Sequence, residues 1–242
     1  MIPKIIWQTH EWEYKDLPTD IKQYVESWQK INPEWEYRYV SKSEREKFIL
    51  ESFGSEWLKI YNSYKFNVMK ADLWRYLTIF INGGVYVDID TICYEKLDNW
   101  FSQEYDFIVS TDLKNDNICQ FIFAANKNTK IIECVLDLIK EEYINPKKYT
   151  KKYEYIANNT GYAVWNKAIK KVLEIDNKLN FSRFRYEKYN NSIQAKQNNF
   201  YCYGGKEAEL MHKKLLEHLH GSINWEYDGH EAWQKKEWST YE

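Results

Sequence analysis

Two aspartates, Asp88 and Asp90, directly follow the apolar run 85–87. Residues i and i+2 of an extended strand share a face, so both carboxylates would point at one place and repel each other unless a cation or protons neutralise them. Mn²⁺ or Mg²⁺ suits such oxygen ligands and leaves coordination positions for phosphate oxygens. The pair therefore predicts a centre in which a divalent metal joins the protein to a diphosphate. The alternative is a strand that ends in a solvated acidic turn.

A second pair, Asp72 and Arg75, lies in the stretch 66–84, where apolar residues recur at helical spacing until Gly83-Gly84. Residues three apart share a helix face, and this pair is expected at the edge of the buried side. One interpretation is an intrahelical ion pair, worth only about 0.2–0.5 kcal/mol. The other is functional: Asp72 accepts hydrogen bonds from sugar hydroxyls, and Arg75 holds a positive charge near the phosphates or the sugar.

Alternating strand and helix patterns position these residues. Strands are predicted at 4–8, 35–40, 85–87 and 200–203, with further apolar segments at 107–110 and 118–124; helices are predicted at 18–29, after Ser41 (with Glu44 in a capping box), at 56–64, 66–82, 129–143 and after Thr160-Gly161. This order predicts an α/β fold with a largely parallel sheet. Asp88 and Asp90 would then lie at the carboxyl end of a strand, where such sheets bind ligands. The polar segments 147–152 and 188–199 are predicted to be loops.

Composition excludes several classes of protein. With 34 Lys and Arg against 36 Asp and Glu, the net charge of −2 gives no general attraction for nucleic acid. No apolar run reaches the roughly 18–20 residues of a spanning helix, and the first residues show no signal region, so a cytoplasmic protein is expected. Four cysteines without a C-x-x-C pair indicate neither a zinc knuckle nor a disulfide framework. The 18% aromatic content fits either a core or a site for sugars and nucleobases.

Three blocks occur in the first 90 residues: 2–9 (IPKIIWQT), 70–77 (KADLWRYL) and 83–90 (GGVYVDID). Together they resemble glycosyltransferase family 32, which contains Golgi mannosyltransferase-like and capsule-synthesis enzymes and is similar in its sugar-binding core to the glucosylating bacterial toxins. Farther on, Thr160-Gly161 is similar to a Thr-Gly-Pro element with Tyr162 in place of the proline, and 220–225 (HGSINW) resembles a C-terminal His-x-x-x-Ser-Trp element with Asn224 in place of the serine. The blocks occur in the family's order, and the resemblance spans most of the chain.

The resemblance implies a single GT-A domain over 1–242, an α/β fold with a Rossmann-like mixed sheet flanked by helices. Residues 1–110 would bind the nucleotide-sugar and the metal, and 111–242 would form the acceptor side and a closing segment. The implied reaction is metal-dependent (Mn²⁺ or Mg²⁺) transfer of a hexose, with retention of configuration, from a UDP- or GDP-hexose, UDP being favoured. The implied acceptor is a glycan or glycolipid in surface polysaccharide or glycoconjugate synthesis.

The resemblance also implies roles for individual residues. Asp90 would be a direct metal ligand, Asp88 would sit between the metal and the ribose or sugar, and Asp72 with Arg75 would hold the transferred hexose. The further residues expected to bind the donor are Ile6, Trp7, Gln8, Tyr86 and Ile89. In the C-terminal element, His220 or Asn224 would reach the metal or diphosphate, and Trp225 would cover the leaving group; His218 is a rival for His220.

Two other functions fit parts of the sequence. The segment 85–92 approximates the strand and D-x-D of haloacid dehalogenase-type phosphatases, although about 85 residues precede it and only Asp112 and Asp116 offer a downstream acidic pair. A non-catalytic carbohydrate-binding module, with the acidic pair as a structural ion site, is the third hypothesis. The tail 225–238 could make a peripheral contact with the inner membrane face, but a C-terminal segment that packs on the domain is the preferred interpretation.

Overall fold

A computed structural model describes residues 1–101, 104–111, 118–174, 193–195, 200–203 and 205–218. The strands are β1 Ile5–Thr9, β2 Glu36–Val40, β3 Gly84–Val87, β4 Thr91–Cys93, β5 Phe107–Ser110, β6 Ile122–Ala125, β7 Ile193–Ala195, β8 Phe200–Tyr203 and β9 Leu216–His218. The helices are α1 Thr19–Ile31, α2 Lys42–Ser63, α3 Asn67–Asn82, α4 Lys130–Ile144, α5 Lys152–Asn159, α6 Tyr162–Glu174 and α7 Gly205–Lys214.

The main sheet has seven strands in the order β2-β1-β3-β6-β5-β8-β7. The pairs β1–β2, β1–β3 and β5–β8 are parallel, whereas β3–β6, β5–β6 and β7–β8 are antiparallel. The sheet is therefore mixed, and the expectation of a largely parallel sheet was wrong, because β6 inserts between β3 and β5 with the opposite direction. The carboxyl ends of β1, β2, β3, β5 and β8 still meet at one edge, which we call the carboxyl edge.

Each face of the sheet is covered by helices. On one face, α2, α3, α4, α5 and α6 pack against inward residues such as Tyr86, Phe107 and Phe123. On the other face, Trp28 of α1 and Met211 of α7 join the strand residues that point the other way. Such alternation is what the two-residue period of a strand requires when both sides are buried.

The turn from α3 into β3 depends on two glycines. Gly83 and Gly84 both have positive φ, 65° and 105°. A Cβ on Gly84 would lie 2.6 Å from the carbonyl oxygen of Ile5, and one on Gly83 would lie 2.7 Å from Cδ of Pro3. Glycine therefore lets α3 end and β3 begin directly beside β1, which places Asp88 at the carboxyl edge.

Several elements differ from the sequence-based expectation. The two helices predicted after Ser41 and at 56–64 form the single kinked α2, with Gly54 at φ 78°. The helix α5 was not predicted, and its first residue fell in a segment expected to be a loop. The strand β7 lies in the other predicted loop, and β4 and β9 form a second, two-stranded sheet. None of the helices in the described residues is long and apolar enough to cross a bilayer.

Candidate functional site

Asp88 is fixed at the end of β3 by its backbone. Its N–H donates to the carbonyl of Phe121 at 2.8 Å, which extends the pairing with the β6 side by one residue. Its carbonyl accepts Nε2 of Gln8 at 3.0 Å and Oγ1 of Thr91 at 2.5 Å. These bonds tie the residue to β1 on one side and to β4 on the other, so its carboxylate leaves the sheet in a defined direction.

Arg75 joins the two predicted carboxylate pairs. Its Nη2 lies 2.8 Å from Oδ1 of Asp72 and 3.2 Å from Oδ1 of Asp88. Its Nη1 donates to the carbonyl of Gln120 at 2.8 Å, and its guanidinium carbon lies 4.4 Å from the ring centroid of Tyr86. Asp72 and Arg75 are only 0% and 3% exposed, so the expectation that they lie at the edge of the helix's buried side was wrong. Because α3 is covered on nearly all sides, this is a buried charge network rather than a surface ion pair.

Asp72 is held by groups from two distant segments and by Arg75 of its own helix. Its Oδ2 accepts the hydroxyl of Thr160 at 3.0 Å, and its Oδ1 accepts Nε2 of Gln120 at 3.3 Å as well as Arg75. Burial raises the pKa of Asp72 to about 6, with Asp88 adding to the rise, while Arg75 and the Thr160 hydrogen bond oppose it. The carboxylate is therefore ionised at neutral pH but titrates closer to neutrality than an ordinary aspartate.

Two buried tyrosines complete the network. The hydroxyl of Tyr86 donates to Oδ1 of Asp88 at 2.7 Å, and that of Tyr76 lies 2.9 Å from the carbonyl of Thr160 and 3.2 Å from Oε1 of Gln120. Burial is the main cause that raises the pKa of both tyrosines well above the usual value. Both therefore stay protonated and act as hydrogen-bond donors.

One donor of the network makes no hydrogen bond to any described residue. It is the buried Nε–H of Arg75. An unsatisfied buried donor costs free energy, and a water or a ligand can complete such an arrangement. Six other buried side-chain atoms of the described residues are also unsatisfied, Nε of Arg45 among them. Arg75 also contacts Asp72 and Asp88, so its Nε–H is a candidate contact for a polar ligand group.

The residues present fit a divalent metal at the carboxyl edge. Asp90 follows Asp88 by two residues and is 6% exposed, whereas the side chain of Asp88 is 25% exposed. Oδ1 of Asp88 accepts the hydroxyl of Tyr86 and pairs with Arg75, and a carboxylate offers about four lone-pair sites in all. The described residues contain no cluster of three or more potential ligands. Two carboxylates with substrate phosphates are nevertheless the ligand set that Mg²⁺ commonly uses.

The other residues predicted to bind the donor differ in their burial and in their contacts. Ile6 is buried in the core, and Trp7 donates its indole N–H to the carbonyl of Gly83 at 3.0 Å. Gln8 is fully buried and accepts the hydroxyl of Tyr37 at 2.7 Å. Ile89 packs on the cluster around α1. These contacts brace the carboxyl edge, and direct contact of these residues with the base or ribose stays a prediction.

The C-terminal candidates His220, Asn224 and Trp225 lie outside the described residues. The chain that leads to them does reach the site. Strand β9 pairs with β4, and the backbone of position 218 lies opposite Thr91, the residue after Asp90. The predicted roles of the C-terminal element, and of His218, stay predictions.

Sequence reasoning missed Gln120, and it gave Thr160 no contact with Asp72. Gln120 precedes β6 and touches Arg75 through its carbonyl and Asp72 through its side chain. Nothing in its local sequence marks it, since its contacts are 45 and 48 residues away along the chain. Thr160 carried a signal, because it belongs to the Thr160-Gly161 element.

Residues 18–107 match the family model described as the glycosyltransferase sugar-binding region containing the DXD motif. The match spans 90 of the 242 residues, and it supports the resemblance to the DXD glycosyltransferases of family 32. The matched region contains Asp72, Arg75, Asp88 and Asp90.

Curated relatives support the same resemblance. The chain is 28% identical over 192 residues to the initiation-specific alpha-1,6-mannosyltransferase of Schizosaccharomyces pombe, which covers 69% of the chain and 48% of that protein. It is 32% identical over 115 residues to an uncharacterised glycosyltransferase of Acanthamoeba polyphaga mimivirus, covering 48% of the chain and 45% of that protein. The chain thus spans about half the length of these curated relatives.

Solved structures support the fold. The PaToxG glycosyltransferase superposes with a TM-score of 0.56 at 20% identity, over 77% of this chain and 76% of that one. The UDP-bound glycosyltransferase domain of the YGT toxin gives a TM-score of 0.52 at 9% identity, over 73% and 78%. The predicted GT-A type α/β fold is confirmed. The division into a donor half and an acceptor half stays a prediction.

Proposed function

We propose that this chain transfers a hexose from a nucleoside-diphosphate sugar to a glycan-type acceptor, with retention of configuration and with a divalent metal. The observation that carries the proposal is the bridge that Arg75 makes between Asp72 and Asp88, inside a buried network next to the D-x-D segment. This bridge joins an acceptor for hydroxyl groups, a fixed cation and Asp88, the first residue of the candidate metal pair. Such groups suit the binding of a sugar diphosphate.

The chemistry follows from how charge moves. Breaking the bond between the anomeric carbon and the diphosphate oxygen leaves positive charge on the sugar and negative charge on the departing diphosphate. A metal bound by Asp88 and Asp90 would neutralise part of the latter charge. Asp72 accepts hydrogen bonds from sugar hydroxyls, and the Nε–H of Arg75 donates to the sugar or phosphate oxygen beside it. Water is kept from this part of the site, because Asp72 and Arg75 are buried.

Retention would arise by attack from the face that the diphosphate leaves. The acceptor oxygen forms the new bond to the anomeric carbon, and its proton passes to the departing phosphate oxygen. No side chain is needed as a covalent nucleophile in this route. Its support is the resemblance of this chain to family 32, which implies retention, and the sequence indicates no second carboxylate as a nucleophile of the kind that retaining glycosidases use.

Two donors compete. A UDP-hexose is the donor that the resemblance to toxin-type transferases favours. GDP-mannose is the second candidate, and the supporting observation is that relatives in Schizosaccharomyces pombe and Candida albicans are mannosyltransferases, at 28% and 34% identity. The acceptor is proposed to be a glycan or glycolipid of surface polysaccharide or glycoconjugate synthesis, and the site of action the cytoplasm, with peripheral membrane contact.

A panel of UDP- and GDP-sugars, each with Mn²⁺ and with a chelator, tests the proposal by thermal shift and calorimetry. A single donor class that binds only with metal supports it and identifies the base. No binding to any donor by folded protein would contradict it. Release of phosphate from phosphomonoesters would instead support the phosphatase, whose downstream acidic pair Asp112 and Asp116 lies outside the described residues. Binding of free sugars without metal would support the carbohydrate-binding module.

A further inference from the structure

The connection between α4 and α5 carries a surface that no role in donor binding explains. Residues 143–153 read YINPKKYTKKY, with four lysines and no acidic residue. Three large side chains of this segment are exposed: Ile144 by 60%, Tyr153 by 43% and Tyr143 by 42%. We call residues 143–153 the lysine–tyrosine surface.

We infer that the lysine–tyrosine surface docks the protein onto an anionic lipid bilayer, so that a lipid-linked acceptor meets the site. The second half of this inference rests on the proposed function. The docking itself does not, since it needs neither donor nor transfer. Lysines attract anionic headgroups, while tyrosine rings and an isoleucine enter the interfacial region.

The topology places this surface at the same edge of the sheet as Asp88. Strand β6 is antiparallel to β3, so it begins at the carboxyl edge and runs away from it. Helix α4 follows β6 and, packed on the sheet, returns toward the carboxyl edge over its 15 residues, about 22 Å. It ends at Ile144, where the lysine–tyrosine surface begins.

Two helices connect the surface to the buried network. Helix α5 starts at Lys152 and spans eight residues, about 12 Å, to reach Thr160, whose hydroxyl donates to Asp72. Nζ of Lys152 lies 4.0 Å from the ring centroid of Phe66. Phe66 caps α3, and Asp72 lies six residues along that helix, about 9 Å away. A bilayer on this surface would therefore hold a headgroup sugar within reach of the site.

The charges around the surface leave it basic. Nζ of Lys147 lies 3.1 Å from Glu142, and that of Lys151 lies 3.6 Å from Glu154. The side chains of Lys151 and Glu154 are 63% and 34% exposed, and an ion pair in that setting is weak, so phosphates can compete for Lys151. Glu142 is only 8% exposed and pairs with Lys147 from the protein side. Lys148 is also exposed.

The exposed apolar residues favour one kind of anionic partner. A nucleic acid would use the lysines and can stack its bases on the tyrosine rings, but neither it nor an anionic polysaccharide would gain from Ile144, which is 60% exposed among them. A bilayer uses both features, because it presents phosphates at its surface and hydrocarbon directly below. Charge and apolar exposure in one segment therefore favour the lipid surface.

Co-sedimentation of the full chain with vesicles tests the inference. Vesicles of phosphatidylcholine with phosphatidylserine are expected to bind the protein, pure phosphatidylcholine vesicles much less, and added salt should weaken binding. One lysine near such a surface contributes about fivefold to the partition coefficient. The double variant Lys148→Glu/Lys151→Glu should therefore lose about 25-fold or more, and Ile144→Ser should weaken binding with the same salt dependence as the wild type.

Matched controls lie on α2. Lys47 and Lys59 are exposed lysines there, and Leu50 is 49% exposed. Lys47→Glu/Lys59→Glu changes the net charge equally, and Leu50→Ser removes a comparable apolar side chain, so both should bind vesicles like the wild type. Three results would overturn the inference. The first is an equal loss of vesicle binding in the test and control variants, and the second is unchanged binding in the test variants. The third is unaltered binding of Ile144→Ser together with full competition by heparin. Because the assay contains no donor sugar, failure here leaves the transferase proposal untouched, and failure of transfer leaves docking untouched.

Discussion

The hydroxyl of Thr160 donates a 3.0 Å hydrogen bond to Oδ2 of Asp72, a residue 88 positions earlier in the chain. Arg75 occupies the other oxygen at 2.8 Å. Both oxygens of Asp72 are therefore oriented before any ligand arrives. Under the proposed function, a carboxylate held in this way would bind sugar hydroxyls without first losing side-chain freedom, which is the advantage of a preorganised site.

Donor binding should depend on pH through Asp72. The pKa of this buried carboxyl is raised to about 6. Its ionised form is the one that accepts hydrogen bonds from sugar hydroxyls, so donor affinity should fall as the pH drops through about 6. Dissociation constants of the donor, measured by calorimetry between pH 5 and 8, would show this fall in affinity. Constant affinity down to pH 5 would mean that Asp72 does not bind the sugar as a carboxylate.

The stability of the ligand-free protein should depend on pH in the opposite direction to donor affinity. The folded pKa of Asp72 is raised from 3.8 to about 6, so the folded state binds this proton more tightly than the unfolded state does. The contribution of Asp72 to the free energy of unfolding should therefore be greatest below pH 4 and decline as the pH rises to about 6. Comparing the wild type with Asp72→Asn by denaturant unfolding isolates this slope.

Replacing Thr160 by valine should raise the pH below which donor affinity falls. The Thr160 hydrogen bond lowers the pKa of Asp72. Thr160→Val keeps the shape of the side chain but removes the hydroxyl, so it should raise the pH at which donor affinity falls by about one unit. Thr160→Ser retains the donor and serves as the control. Identical pH profiles in Thr160→Val and the wild type would show that this hydroxyl does not act on Asp72.

Arg75→Lys should impair turnover although the charge is kept. A single ammonium group cannot hold Asp72, Asp88 and the carbonyl of Gln120 with the geometry of a planar guanidinium. The loss of one or two charge-assisted hydrogen bonds predicts that kcat/KM falls about 10- to 100-fold or more. Arg38→Lys, at an exposed ion pair on β2, is the control and should be neutral. Full activity in Arg75→Lys would reduce Arg75 to a structural role.

Gly84→Ala should destabilise the fold. Gly84 has a φ of 105°, and an added Cβ would meet the carbonyl of Ile5 at 2.6 Å. Strain and overlap together predict a loss of about 2 kcal/mol or more in the free energy of unfolding. Gly54 has a φ of 78° with no atom within 4 Å of the added Cβ, so Gly54→Ala should cost less, about 1 kcal/mol. Equal losses in a urea titration would argue against close packing of β3 on β1.

Local sequence patterns predicted many of the strands and helices. The strand 85–87 and the D-x-D after it followed from apolar sequence and position, and α1, α3, α4 and α6 followed from helical spacing and end signals. The shared face of Asp72 and Arg75 also followed from spacing. Its burial did not, because spacing tells which residues lie together and not what covers them.

The remaining features depend on contacts between distant segments. The direction of β6 is set by its place between β3 and β5, which no local pattern records. Gln120 enters the site only because β6 begins beside Asp88. Helix α5 has a polar sequence that resembles a loop, and it forms where Ile156 and Ala157 can be buried against the domain.

The metal role of Asp88 and Asp90 is tested most directly by calorimetric titration of the donor sugar into the wild type and Asp90→Ala with Mn²⁺, after circular dichroism has shown that both are folded. If Asp90 is a metal ligand, Asp90→Ala loses metal-dependent donor binding, so that its affinity with Mn²⁺ equals the affinity of the wild type with chelator. Wild-type affinity of Asp90→Ala in the presence of Mn²⁺ would contradict the assignment of the D-x-D pair as the metal and diphosphate centre.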